Sequence, residues 1–541
     1  MKKKLLPIFL TSLCAIGITG CKRNIVPKYQ TPTVENFNKI SKSLKNYDLS
    51  FNDVTYKNLL DELLSDVKGA TKYSDIESNL IKALNKTHEL IKKNAIANAL
   101  YDYDYNNEEY EERSNFFDDL YLDFEVFRAN LIYEIKDKPD ILENFFSGYS
   151  EEDIEFEIAL SEKKKESKYK QIKEELDDIV EEYDRISSNI KDSSTTQQVA
   201  DLLFRFVNKN KELSDYLDFE SYTYYQDINY GRIYTKNDID KFISMVKENI
   251  LPYMDSNGYV ADIASKAQTL TYPEYSFLSE YEASSVFDKD YYTYDLLNDY
   301  SKNMGGDYYR IYKDFITNNV IFSKNEESLD VAYTNSYLSY FGPNYQNANT
   351  IVHEFGHFYS EKAGSADYKS LDLQEFYSQA NEFLFMSYLE QNSSKTFNNI
   401  YDVESTFKLV DACETIVVGS ALREFETKIY EKNLSSSSEI LDIWDSINNN
   451  EYNSLLKDYW KFEIRYDLYY ISYATSATGA LSLYNYSKTN FKDSKIKYMS
   501  ACSNQNMDDD IEEVLKKCNL PSPFDEQTFI NIKELIEEKR K

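Results

Sequence analysis

A mainly α-helical body with a little β-structure is what this 541-residue sequence predicts, on three observations. Only 13 glycines and 9 prolines punctuate the chain, too few for the turns of an all-β protein of this length. Between them run long stretches rich in Glu, Lys, Leu and Ile, which favour helix. Apolar residues also recur at helical spacing: Ile172, Leu176, Ile179, Tyr183, Ile186 and Ile190 follow one another in steps of 4, 3, 4, 3 and 4. Such a stripe is a packing seam, and it predicts a helical hairpin.

From the N-terminus, Lys2, Lys3 and Lys4 precede an apolar run over residues 5–20. The run is shorter than the ~20 residues of a membrane-spanning helix and suits an export leader. It ends in Ile18-Thr19-Gly20-Cys21, which resembles a bacterial lipobox. Residues 1–20 are therefore expected to be a lipoprotein signal peptide. Lipid on Cys21 would then hold the protein to the extracytoplasmic face of the membrane, since acyl burial contributes about 0.8 kcal/mol per methylene. Residues 21–50, polar and carrying Pro27 and Pro32, are expected to be a tether. Residues 51–195 make a helical N-terminal domain, and the aperiodic stretch 191–198, with Ser193, Ser194, Thr195 and Thr196, marks its boundary with a second domain over 196–541. Within that domain, residues 331–340 read VAYTNSYLSY, with the alternation and aromatic content of a strand, before Phe341-Gly342-Pro343-Asn344 forces a turn. An edge strand here could pair with an extended peptide, which makes Tyr337 a candidate substrate contact.

Lys and Arg total 61 against 93 Asp and Glu, a net charge of −32 that opposes nucleic acid and anionic lipid headgroups as partners. Beyond Cys21 only Cys413, Cys502 and Cys518 remain, so at most one disulfide can form, with Cys502 and Cys518 the nearest pair. No cysteine spacing suits a metal.

Only three histidines occur, yet two of them sit four apart in IVHEFGHFYSEK, residues 351–362. Asn347 or Asn349 can cap a helix through this stretch and Gly364 can end it. On that helix His353 and His357 project about 40° apart, one turn removed, and can share a metal ion, while Glu354 falls beside it. A zinc ion held by two imidazoles and a carboxylate keeps one position for water and brings that water's pKa toward ~7. Glu354 can take the water's proton and pass it to a leaving amine. The third ligand is sought in SLDLQEFYSQANEFLFMSYLE, a second helix opening near Ser370 or Asp372. Glu375 and Glu382 are seven apart on nearly one face, and either can ligate. Glu375, nearer the helix start, is the expected ligand; Glu382 suits a partner that orients a histidine ring.

The pair HEFGH and, after a loop, Glu375-Phe376-Tyr377-Ser378-Gln379-Ala380-Asn381-Glu382 resembles the zinc metallopeptidases that include oligoendopeptidase F and thimet oligopeptidase. The resemblance implies that Glu375 is the third zinc ligand, and it implies a large helical ellipsoid with a small sheet beside the HExxH helix and a deep channel. The run Tyr466-Asp467-Leu468-Tyr469-Tyr470-Ile471-Ser472-Tyr473 is similar to the family's tyrosine-rich substrate loop. By that match Tyr466 and Tyr473 donate hydrogen bonds to the oxyanion or substrate backbone. The family usually has a histidine shortly before those tyrosines. Here no histidine follows His357, and Lys461, Glu463 and Arg465 fill that neighbourhood. Arg465 is the expected substitute donor. The resemblance spans roughly residues 200–522 and is strongest over 350–382.

The resulting expectation is a monomeric, lipid-anchored zinc endopeptidase acting on oligopeptides. The alternatives are a weakly active or inactive peptide-binding lipoprotein on the same scaffold, or a carboxypeptidase of another gluzincin family.

Overall fold

A computed structural model describes residues 39–540 apart from 148, 150, 165, 188–192, 255–289, 326, 365–369, 393–399, 453–455, 457 and 505–508. The leader, Cys21 and the first part of the expected tether lie outside the described residues. The principal helices are α1 (Asp53–Gly69), α2 (Glu77–Tyr103), α3 (Glu108–Ile135), α4 (Glu151–Lys164), α5 (Ser167–Ser187), α6 (Thr196–Tyr216), α7 (Ala348–Ala363), α8 (Leu371–Asn392), α9 (Ile400–Glu431), α10 (Tyr470–Ser503) and α11 (Glu526–Arg540). Four short strands accompany them: β1 (Lys39–Ile40), β2 (Val320–Phe322), β3 (Ala332–Asn335) and β4 (Leu338–Phe341). The mainly α class is thus as expected. Local chemistry starts the helices where side-chain acceptors precede them. Asn52 accepts from the Thr55 amide, and Asn107 accepts from Glu109 and Tyr110 just ahead of an acidic first turn.

The stripe on α5 is packing. Ile172, Leu176, Ile179 and Tyr183 are buried, each contributing about 1.5–3 kcal/mol. They lie against α6, and Ile190 falls outside the described residues. The helices α5 and α6, on either side of the expected boundary, therefore pack on each other, and both belong to the core that continues to α11. The break between hydrophobic cores comes earlier, between Phe146 and Phe156: one core gathers α1, α2 and α3 with one face of the sheet, and the other gathers most of the chain from α4 onward.

The sheet stands between these cores, in the order β1-β2-β4-β3, with β2 and β4 parallel and both outer pairs antiparallel. Strand alternation sorts its side chains. Ile321, Leu338 and Tyr340 enter the N-terminal core, while Val320, Phe322, Ala332 and Phe341 enter the other. Two expectations need correcting here. Residues 39–50 are not a tether: Lys39 and Ile40 add an edge strand to β2, and Leu44 and Leu49 are buried in the N-terminal core. The segment 331–340 is also a hairpin rather than one strand. The Asn335 side chain accepts from the amides of Tyr337 and Leu338 at 3.0 and 3.1 Å and so turns the chain. Cys413, Cys502 and Cys518 are all buried free thiols. Among the described residues no helix is long and apolar enough to cross a membrane.

Candidate metal centre

Helix α7 begins where Asn347 accepts from the Thr350 amide and ends at Gly364, the two signals visible in its sequence. It carries His353 and His357 with ring centroids 5.0 Å apart. Helix α8, whose first turn is met by the Ser370 hydroxyl accepting from the Leu373 amide, carries Glu375 and Glu382. The two helices meet backbone to backbone at Gly356. A Cβ there would lie 2.6 Å from Ser378 Cα and 2.8 Å from the Tyr377 carbonyl oxygen. Asn381 adds a buried strut by donating to the Val352 carbonyl at 2.7 Å, and its own oxygen accepts from Tyr300 and Tyr308.

This contact brings Glu375 Oε2 to 3.7 Å from His353 Nε2 and 3.9 Å from His357 Nε2. Those three atoms are buried and have no hydrogen-bond partner among the described residues, and they lie within 4.8 Å of one another. Three converging orphan atoms of two imidazoles and one carboxylate fit a divalent ion of the zinc type, with bonds of about 2.0–2.2 Å. Their other atoms are taken. His353 Nδ1 donates to Glu382 Oε1 at 2.7 Å, and Glu375 Oε1 accepts from the Tyr469 hydroxyl at 3.1 Å. Glu382 thus stands where a ring-orienting partner should, and Glu375 faces the rings.

Burial dominates the protonation of the metal-free cluster. It raises the Glu375 carboxyl to about 7, with His353 opposing. It pushes His357 well below its usual value, an effect the His353 charge reinforces. For His353 burial acts downward too, yet the hydrogen bond and charge of Glu382 outweigh it and the net shift is upward. Glu382 is itself held below its usual value: burial would raise it, but the Lys408 charge and the His353 contact prevail.

Glu354 is fully buried between α7 and the sheet. Its Oε2 accepts from the Thr334 hydroxyl of β3 at 2.7 Å, and Ser339 of β4 lies 2.6 Å from that hydroxyl. This cross-strand pair lies on the face of the hairpin turned to α7, opposite the stacked pair Tyr333 and Tyr340. The β-hydroxyl partner of Glu354 is invisible in sequence, because it depends on strand register.

The tyrosine loop precedes α10. Leu468 takes a φ of +57°, a conformation unfavourable for a branched residue. Its surroundings enforce it: Leu468 donates its amide to Glu426 at 2.7 Å, and its carbonyl accepts from the fully buried Arg232 at 2.7 Å. Asp467 accepts from Tyr222 and Tyr430 at 2.6 and 2.8 Å. The loop so held delivers Tyr469 to Glu375, and Tyr473 donates to Tyr469 in turn. Tyr466 is half-buried, its ring 5.4 Å from that of Tyr470. Tyr469 was missed in the sequence, where nothing ranks one tyrosine of the run above another.

Two expected substrate contacts are engaged elsewhere. Arg465 forms a two-pronged ion pair with Asp184 of α5, its Nε 2.9 Å from Oδ1, because the acidic face of α5 passes beside it. Tyr337 sits in the hairpin turn with Lys92 of α2 5.8 Å from its ring, while its carbonyl accepts from Asn319.

No protein-family model matches the sequence, and no curated protein matches it. Solved structures do match. PZ peptidase A, solved with an inhibitor, superposes with a TM-score of 0.69 at 14% identity, over 92% of this chain and 100% of that one. A protein assigned as oligoendopeptidase F from Bacillus anthracis str. Ames gives 0.65 at 15% identity, over 93% and 98%. Metallocarboxypeptidase 1 of Trypanosoma cruzi gives 0.50 at 13% identity, over 91% and 100%. Along nearly its whole described length the chain has the fold of oligoendopeptidase-type peptidases.

Proposed function

We propose that this protein is a zinc-dependent endopeptidase that hydrolyses oligopeptides. The observation that carries the reading is the convergence of His353 Nε2, His357 Nε2 and Glu375 Oε2, three buried atoms without hydrogen-bond partners among the described residues. These residues would hold the ion. A bound zinc ion supplies a Lewis acid and a water acidic enough to lose a proton near neutral pH. Glu354, next to His353 on the same turn of α7, would be the general base that takes a proton from the attacking water and returns it to the leaving amine. The Thr334 hydroxyl keeps the Glu354 carboxylate oriented between transfers. Tyr466, half-exposed, and Tyr473 are the candidate donors to the substrate carbonyl; Tyr473 must give up its bond to Tyr469 to serve.

An N-terminal lipid on Cys21 would place this activity on the extracytoplasmic face of a membrane, with the protein acting as a monomer. A deep channel of the kind the fold family implies would admit oligopeptides and exclude folded proteins.

Purified protein is expected to cleave a mixed peptide pool, to stop on chelation and to resume with zinc. Glu354→Gln should abolish cleavage at unchanged metal content. Undiminished turnover by that variant would remove Glu354 from its role. Fragments from one defined peptide distinguish internal cleavage from removal of C-terminal residues, which would indicate a carboxypeptidase, and a peptide bound tightly and released whole would indicate a binding protein.

A further inference from the structure

Lys408 belongs to no motif, yet it is connected to the centre by two contacts. It sits on α9 with only 10% of its side chain exposed. A lysine ammonium is strongly hydrated and its stem costs about 2 kcal/mol of rotamer entropy to immobilise, so burial needs a specific partner. Among the described residues, Nζ lies 2.6 Å from Glu382 Oε2 and 2.9 Å from Asp411 Oδ2, one turn further along α9.

The consequence lies in how a carboxylate is held. Rotation about the last bond of a glutamate is soft, so one hydrogen bond fixes the position of one oxygen but leaves the plane free. Glu382 is fixed at both ends, with Oε1 on His353 Nδ1 at 2.7 Å and Oε2 on Lys408. The plane of the carboxylate then dictates the plane of the His353 ring. That ring in turn aims Nε2 at the point shared with His357 and Glu375. A rigid line thus runs from α9 through α8 to α7.

We infer that Lys408 is a positioning residue of the metal centre: by clamping Glu382 it sets the orientation of His353, and the affinity for zinc depends on it. The inference rests on the metal reading of His353.

The test is the zinc dissociation constant of the full chain, measured by competition with a chromophoric chelator at fixed pH. Lys408→Met keeps the stem and removes the clamp. It should weaken zinc binding roughly ten- to a hundredfold, the usual effect of removing a partner that supports a ligand. Turnover per bound zinc, at saturating metal, should change far less. Lys408→Arg should recover part of the affinity. In a Glu382→Gln background Lys408→Met should cost nothing more, because the residue through which it acts has already been altered. A lysine that merely packs α9 on α8 would lower the melting temperature of the metal-free protein and leave zinc affinity unchanged; that result overturns the inference. If Lys408→Met does not fold, Lys408→Gln takes its place, with at least a threefold loss expected and no loss overturning the inference. Wild-type protein that binds no zinc would overturn the metal reading itself, an outcome distinct from all of these.

Discussion

Gly356 is the residue through which the two ligand helices touch, and Gly356→Ala measures how much the centre depends on that contact. The added Cβ would meet Ser378 Cα at 2.6 Å and the Tyr377 carbonyl oxygen at 2.8 Å. Both are backbone atoms of α8, so no rotamer can relieve the overlap. Ordinary carbon contacts are about 3.5–4.0 Å, and α7 must therefore withdraw from α8 by roughly 1 Å at this point. The ligands span that same gap. Glu375 Oε2 already lies 3.7 and 3.9 Å from the histidine nitrogens, whereas bonds of about 2.0–2.1 Å around a tetrahedral ion ask for separations near ~3.3 Å. Widening by up to ~1 Å leaves one ligand out of reach unless the chain strains to restore it. The expected result is a zinc affinity lower by at least about tenfold, or ~1.4 kcal/mol. Overpacking should also make the metal-free protein about 1–3 kcal/mol less stable. Chelator competition reads the first quantity and denaturant unfolding of the metal-free protein the second. If Gly356→Ala binds zinc as tightly as the wild type and unfolds at the same denaturant concentration, the helix contact does not set the geometry, and the reasoning is wrong.

Three further outcomes are expected. Thr334→Val removes the hydroxyl that bonds Glu354 Oε2; a hydrogen bond to a charged group is worth about 1.5–3 kcal/mol, so kcat should fall roughly tenfold or more with zinc content and KM little changed. An unchanged kcat would show that Glu354 needs no such partner. Zinc affinity should rise with pH through about 7, because Glu375 in the metal-free site is raised to about 7, His353 is raised as well, and both ligands must lose a proton to bind. The sign follows from the raised values: a proton on Glu375, or on His353 whose value is raised as well, competes with the ion, and fewer such protons remain as the pH climbs. Calorimetry in buffers of different ionisation enthalpy checks this, and zinc uptake without proton release at pH 6 would refute it. Arg465→Ala should lower stability by about 1 kcal/mol through loss of its partly exposed pair with Asp184 and leave KM for peptides unchanged. A raised KM at unchanged stability would return Arg465 to the substrate.

By itself the sequence determined what depends on short-range spacing. Helical periodicity, the Asn347 cap and Gly364 end of α7, and the placement of two histidines and Glu354 on one turn are all local, since 3.6 residues per turn fixes them before any packing occurs. The second helix and its two glutamates were legible for the same reason. Tertiary structure alone decided the rest. It brought Glu375, the expected ligand, to the Nε2 atoms and Glu382 to Nδ1 of His353: a seven-residue step leaves either able to ligate, and the crossing at Gly356 sets which one meets which ring atom. It made Thr334 the partner of Glu354 by strand register, raised Tyr469 above its neighbours through a strained turn at Leu468, and drew Arg465 to Asp184 and Lys408 to Glu382. Each of these pairs joins segments distant in the chain, whose meeting is governed by which apolar faces the two cores bury rather than by any pattern near the residues themselves.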